Sequence, residues 1–198
     1  TVHSGLLERL LDEPYFTQPP PKSTGRDRFH ADWLAHKMAG LDDAENLPPQ
    51  DVQATLCELT AITSARSVLC YQPQCTTLIV CGGGAYNRHL MQRLQAWLPL
   101  CEVVSSAAFN LPPTQVEAVA FAWLARQTMN GLTASHPSVT VQGGAGYWAR
   151  FIHHRPHPAL TNGCTKAFNQ AFGDVFFAGV IHNILSFDHF TGNKVEAT

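Results

Sequence analysis

The stretch Thr76-Thr77-Leu78-Ile79-Val80-Cys81-Gly82-Gly83-Gly84 decides the fold. It is a short continuous apolar run that stops at three glycines, the pattern of a strand buried on both faces of a parallel sheet. Residues 87–98 then read as a helix, with Leu90, Met91, Leu94 and Leu98 on its buried side. Glu102-Val103-Val104 reads as a second strand. Pro112-Pro113-Thr114 opens another helix, in which Val116, Val119, Ala120, Trp123 and Leu124 form an apolar stripe. Gly131 is placed to stop it.

Upstream, Leu6, Leu7, Leu10 and Leu11 recur at helical spacing, and Pro14 ends or bends that helix. Residues 18–26 read as a loop, stiffened by Pro19, Pro20 and Pro21 and released by Gly25. A short helix is predicted over Ala31–Met38. Pro48 and Pro49 open a long helix over residues 50–69, with Val52, Leu56, Leu59, Thr63 and Arg66 on one flank. Its amphipathic pattern weakens after Ile62. From residue 50 the order is helix, strand, helix, strand, helix, which predicts an α/β layer with a largely parallel sheet. No internal repeat is visible.

Composition narrows the function. The chain has 198 residues, 14% of them charged, and a net charge of −2. That balance offers no basic surface for nucleic acid. No apolar run reaches the roughly 18 residues that span a bilayer, so no membrane segment is expected. The chain opens with Thr1, without a secretory leader, and runs directly into a helical pattern; it reads as starting inside a longer protein. Cys57, Cys70, Cys75, Cys81, Cys101 and Cys164 have spacings of neither a zinc motif nor a compact disulfide framework. A reducing cytoplasm is the simplest setting for them.

Four groups of residues are candidates for chemistry. Gly82, Gly83 and Gly84 lie at the carboxyl end of a strand, the edge where open α/β sheets bind ligands. Without Cβ atoms, the backbone there can approach a flat or anionic group, or simply turn tightly. Asn87 stands at the following helix start, as a cap or a ligand contact. Glu117, in the first turn of the last helix, is either a solvated dipole partner or a group facing a ligand. The Lys22-Ser23-Thr24-Gly25-Arg26 segment lacks the glycines and the preceding strand of a phosphate loop; it reads as a rigid donor loop. His153, His154 and His157, with Cys164, match no metal-ligand spacing, and no metal site is assigned.

Taken in order, several segments resemble the C-terminal part of the anhydro-N-acetylmuramic acid kinase family. They are Asp12-Glu13-Pro14-Tyr15-Phe16, Pro20-Pro21-Lys22-Ser23-Thr24-Gly25-Arg26, Asp51-Val52-Gln53-Ala54-Thr55-Leu56 and Glu58-Leu59-Thr60-Ala61. Val80-Cys81-Gly82-Gly83-Gly84 with Asn87, Val116-Glu117-Ala118, Phe121-Ala122-Trp123-Leu124-Ala125 and Pro137-Ser138-Val139-Thr140 follow. The resemblance covers residues 1–140. It implies the second lobe of an actin-like ATPase fold, incomplete here. It also implies a kinase that uses ATP and Mg2+ to phosphorylate 1,6-anhydro-N-acetylmuramic acid, opening the anhydro ring with water to give the 6-phosphate, in cytoplasmic cell-wall recycling. Gly82, Gly83, Gly84 and Asn87 match the adenosine-side turn, and Glu117 matches a glutamate expected to face the sugar. A homodimer is a further expectation. The family's Gly-Thr-Ser-x-Asp-Gly phosphate loop and catalytic aspartate belong to the first lobe and are absent from these residues, so this fragment alone is expected not to turn over. The competing reading is a non-catalytic, actin-like nucleotide-binding module.

After Thr140 the family continues Gly-Ala and ends in a strand of the type Val-Leu-Gly-Ala-Ile-Tyr-Pro. Here the text is Val141-Gln142-Gly143-Gly144-Ala145-Gly146-Tyr147-Trp148-Ala149-Arg150-Phe151-Ile152-His153. Restoring one G before the Val141 codon gives Gly, then permits Ala. In that frame Tyr147-Trp148-Ala149 supplies YTG-GGC, which encodes Leu-Gly and nothing else. The codons around it permit Val before, and Ala, Ile, Tyr and Pro after. A stop is permitted at Thr161-Asn162. Residues 141–198 are therefore expected to be an out-of-frame tail.

Overall fold

The computed structural model describes residues 1–20, 22, 24 and 27–132. Pro137 to Thr140, the tail from Val141 and its histidines lie outside the described residues. Helix α1 (Ser4–Leu11) is capped by the His3 ring, whose Nδ1 accepts the Leu6 amide at 3.0 Å. Pro14, which has no amide hydrogen to give, follows the helix and opens a 3-10 turn over Pro14–Thr17. Helix α2 spans Ala31–Met38, the range read from the sequence.

Helix α3 (Pro49–Tyr71) is the centre of the molecule. The sequence shows one apolar flank; the structure buries two. Leu56 and Leu59 pack with Leu6 and Leu10 of α1 and Leu34 of α2. Cys57, Ala61, Ala65 and Val68 pack on the opposite side. Every residue from 55 to 62 is buried. A helix covered all round has no single apolar face, which is why the one flank read from the sequence understates the burial of residues 55–62.

The second cluster includes strand β1 (Thr77–Val80), helix α4 (Arg88–Trp97) and the approach to strand β2 (Glu102–Ser105). β1 and β2 pair in parallel, with Leu78 opposite Val103 and Val80 opposite Ser105. The connection between them carries α4, as a parallel pair requires. Leu78 and Val80 point into the core, together with Leu90, Leu94 and Leu98 from α4 and its end. The α/β layer with a parallel sheet is thus present, as two strands among the described residues.

The glycine turn differs in one respect from the sequence reading. Helix α4 does not follow the glycines directly; a 3-10 turn, Gly83–Tyr86, lies between. Gly82 has φ 77° and ψ −173°, a region open essentially to glycine alone. A Cβ built on Gly83, by contrast, meets nothing within 4 Å.

Helix α5 spans Val116–Met129, after a 3-10 turn over Pro113–Gln115. Val116 is buried, but the rest of its predicted apolar stripe is only half-buried, and Phe121 on the other side is 54% exposed. Gly131 stops α5 as the sequence indicates. It takes φ 65°, its amide bonds to Thr128 O at 3.1 Å, and the Leu132 amide reaches Gln127 O at 2.9 Å. This pair of bonds is the Schellman arrangement, which a residue with a Cβ adopts only under strain.

Polar atoms inside α3 are matched. The Thr60 hydroxyl donates to Leu56 O at 2.9 Å. Glu58 is 4% exposed and receives Arg93 through Nε at 2.6 Å and Nη2 at 2.9 Å, and Trp97 Nε1 at 2.9 Å. Arg93's hydrogen bonds hold the Glu58 carboxyl below the usual glutamate range, against the upward push of burial, with Trp97 adding to the lowering. The folded value lies below the unfolded one. The resulting stability is therefore full above the ordinary glutamate range and is lost as pH falls through the folded value.

Two predictions follow from these local geometries. Arg93→Ala strands the Glu58 carboxylate and is expected to cost about 2–3 kcal/mol in urea unfolding, whereas the double change to Leu at Glu58 and Arg93 costs less than that single one. Equal or reversed costs would show that the pair does not carry the α3–α4 contact. Gly82→Ala is expected to cost about 1–3 kcal/mol through its backbone alone. Gly83→Ala stays within about 0.5 kcal/mol of the parent. Similar losses at both positions would contradict the assigned turn.

Candidate functional site

The carboxyl end of β1 and the start of α5 meet at one bond. The Gly82 amide donates to Pro113 O at 2.9 Å. Two consecutive prolines, Pro112 and Pro113, set the backbone that presents this carbonyl. The Ala85 amide then returns to Gly82 O at 3.2 Å, and the Asn87 amide to Gly84 O at 3.0 Å, closing the 3-10 turn. Gly83 is left exposed, with open space where a side chain would stand. The turn is therefore both tightly closed and bare of side chains at Gly83, as either use of the glycines requires.

Glu117 belongs to the same corner. It is exposed in the first turn of α5. Its charge reaches the Cys81 thiol, which burial pushes up and the Glu117 carboxylate pushes further. The structure thus brings the glycine turn and Glu117 together at the carboxyl edge of the sheet, although 33 intervening residues separate Glu117 from Gly83 in sequence. That edge is where ligands meet open α/β sheets.

Asn87 is the cap of α4: its Oδ1 accepts the Leu90 amide at 3.1 Å. The α4 amino terminus is therefore displaced from the glycines by one 3-10 turn, and part of its donor capacity is used by this cap. The sequence leaves Asn87 open as a cap or a ligand contact; in the structure its side-chain oxygen is the cap.

Sequence reasoning passed over two features of this edge. The Pro113 carbonyl is invisible to a side-chain search, and only the positive φ of Gly82 signals that something must hold that turn. Ser106, the residue after β2, is 3% exposed, and its hydroxyl has no partner among the described residues. A buried hydroxyl without a partner is uncommon and places an unused donor beside the site.

Lys22 lies elsewhere and has a structural task. Its Nζ donates to Tyr15 O at 2.9 Å and Phe16 O at 3.2 Å and sits 4.9 Å from the centroid of the Tyr15 ring. Burial lowers its pKa. Nearby, burial pushes the Glu13 carboxyl up, but Trp33, Arg28 and Lys37 outweigh it and hold the group below its usual range. Tyr15, Phe16, Phe29 and Trp33 stack and cross around these charges. The loop expected to offer donors does so, through Lys22, to its own neighbouring turn.

No group of three or more His, Cys, Asp or Glu residues that could hold a metal occurs among the described residues. No described helix is long and apolar enough to cross a membrane.

Comparison with known proteins places this arrangement. The sequence pattern of the family described as anhydro-N-acetylmuramic acid kinase matches residues 1–147. A protein of that name from Albidiferax ferrireducens is 57% identical over 144 residues, which are 73% of this chain and 36% of the relative. Its namesake from Xylella fastidiosa is 50% identical over 139 residues, 70% of this chain and 35% of the relative. One from Variovorax paradoxus is 54% identical over 144 residues, 72% of this chain and 38% of the relative. The chain thus spans little more than a third of the length of these relatives. With its match running through both core clusters, the glycine turn and α5, the chain belongs to the anhydro-N-acetylmuramic acid kinase family.

Proposed function

We propose that this chain is the C-terminal lobe of an ATP-dependent kinase that phosphorylates 1,6-anhydro-N-acetylmuramic acid and opens the anhydro ring with water. The lobe is of the actin-like kind, facing a second lobe across a cleft. The carrying observation is the Gly82 amide bonded to Pro113 O, which sets the glycine turn and the first turn of α5 on one edge. In this reading Gly82, Gly83 and Gly84, with Asn87 at their far end, form the adenosine-side wall. The open space at Gly83 fits a flat base there. Glu117 faces the sugar, where an exposed carboxylate accepts hydrogen bonds from hydroxyl groups.

ATP supplies the transferable phosphoryl group when bound. Mg2+ would supply charge neutralisation at the phosphates when bound with ATP. Positioning and charge stabilisation dominate phosphoryl transfer, and this lobe contributes the positioning. Cytoplasmic recycling of cell-wall sugar and assembly as a homodimer belong to the same reading. Residues 141–198 are read as translated out of frame. The family match ends at residue 147, inside the tail so read.

Three measurements test this. In the longer protein that joins this lobe to a phosphate-loop lobe, Glu117→Gln is expected to lower kcat/KM for the anhydro-sugar roughly 10- to 100-fold, with KM for ATP unchanged. An unchanged sugar parameter would remove Glu117 from the site. The isolated chain is expected to transfer no label from radioactive ATP to the anhydro-sugar, and transfer by it would overturn the two-lobe reading. Genomic reads across the Thr140 codon are expected to restore one base; an intact frame there would make the tail genuine.

A further inference from the structure

We propose that Cys75 and Cys101 are a dithiol/disulfide couple that staples the amino ends of β1 and β2. Their spacing of 26 residues gives no hint of pairing, yet their sulfurs lie 3.5 Å apart. Cys101 is 5% exposed, Cys75 half-buried. The Cys101 thiol donates to Cys75 Sγ, and Cys75 Sγ in turn lies 3.4 Å from Thr77 O.

The backbone on each side is already fixed. The Cys75 amide donates to Gln72 O at 2.9 Å, and the Glu102 amide to Thr76 O at 2.8 Å. Gln95 clamps the other loop: its Nε2 donates to Leu98 O at 3.0 Å and Cys101 O at 2.9 Å, while its Oε1 accepts the Val103 amide at 3.0 Å. A disulfide has an S–S length of about 2.05 Å, so closure needs an approach of roughly 1.5 Å, within reach of side-chain rotation and small loop shifts. This site lies at the end of the strands opposite the glycine turn. It uses no residue of the nucleotide or sugar wall and stands independently of the proposed function.

The reactant is a small disulfide such as glutathione disulfide. Residues 72–74 are exposed and give it access to Cys75. The Cys75 thiolate attacks one glutathione sulfur, a Cys75–glutathione disulfide forms, and one glutathione thiolate leaves and takes a proton. Cys101 then loses its proton and attacks Cys75 Sγ, expelling the second glutathione. The protein loses two hydrogens and the glutathione disulfide becomes two thiols. Burial, the largest cause of the rise in the Cys101 thiol, persists once Cys75 is capped and keeps Cys101 mostly protonated at neutral pH. The second step is therefore the slow one, rising about tenfold per pH unit between pH 7 and 9.

The test equilibrates the 198-residue chain in glutathione buffers of graded ratio, quenches with acid, alkylates free thiols and maps peptides by mass. A Cys75–Cys101 linked peptide is expected, forming faster at pH 9 than at pH 7. Cys75→Ser and Cys101→Ala abolish it, while Cys70→Ser leaves it intact. Oxidation is expected to raise the thermal midpoint by roughly 5 °C. Three results would overturn the proposal: both thiols still alkylated in the most oxidising buffer, a Cys75–glutathione adduct that never closes, or a mixture of pairings among all the cysteines. Because Cys101→Ala alters a buried site, the exposed-side variant Cys75→Ser decides if the two disagree.

Discussion

Helix α3 has to be buried on every side through its middle turns, and the rest of the described structure is arranged to permit that. One flank is apolar toward α1 and α2, the other toward the sheet and α4. Burying a helix this fully excludes water from any polar side chain on it. Thr60 turns its hydroxyl back to its own helix, and Glu58 draws Arg93 and Trp97 from α4. The ion pair is costly to desolvate, and an apolar pair of equal volume would hold the helices as well or better. What it adds is register: a bidentate guanidinium and one indole N–H fix where α4 lies along α3, and α4 in turn carries the chain from β1 to β2.

That register has a consequence at the sheet edge. With α4 fixed, β1 and β2 pair in one alignment, and the residues that follow them are placed by it. Cys81 and Gly82 leave β1 beside Ser106 leaving β2. The start of α5 is then drawn in through Pro113 O, and Glu117 arrives beside Cys81. The candidate site is thus assembled from residues distant in sequence by a chain of contacts that begins in the core.

Much of this was legible in the sequence because local signals agreed with the fold. Pro14, Pro49, Asn87 and Gly131 each mark the boundary they suggest, since caps and breakers act within a turn. The alternation of elements after residue 50 gave the parallel pair for the same reason. Periodicity located α3 but showed only one of its flanks, because a helix with two apolar flanks has no single face to report. The three glycines look alike in sequence, and only the backbone shows that Gly82 carries the constrained geometry while Gly83 faces open space. Glu58 with Arg93, and Cys75 with Cys101, are separated by 35 and 26 residues, and no local pattern announces such meetings. Glu117 took its meaning from resemblance rather than from its own physics.

The Gly82–Pro113 bond also has a mechanical meaning. A hydrogen bond to a carbonyl in ordinary loop backbone works as a tether, because neighbouring torsions can take up a displacement. Here the acceptor sits in a Pro-Pro pair whose φ angles are held by their rings, and the donor sits at a glycine two residues past the end of a paired strand. Little slack remains on either side. Movement of α5 is therefore transmitted to the glycine turn instead of being absorbed, and the two segments move as one piece.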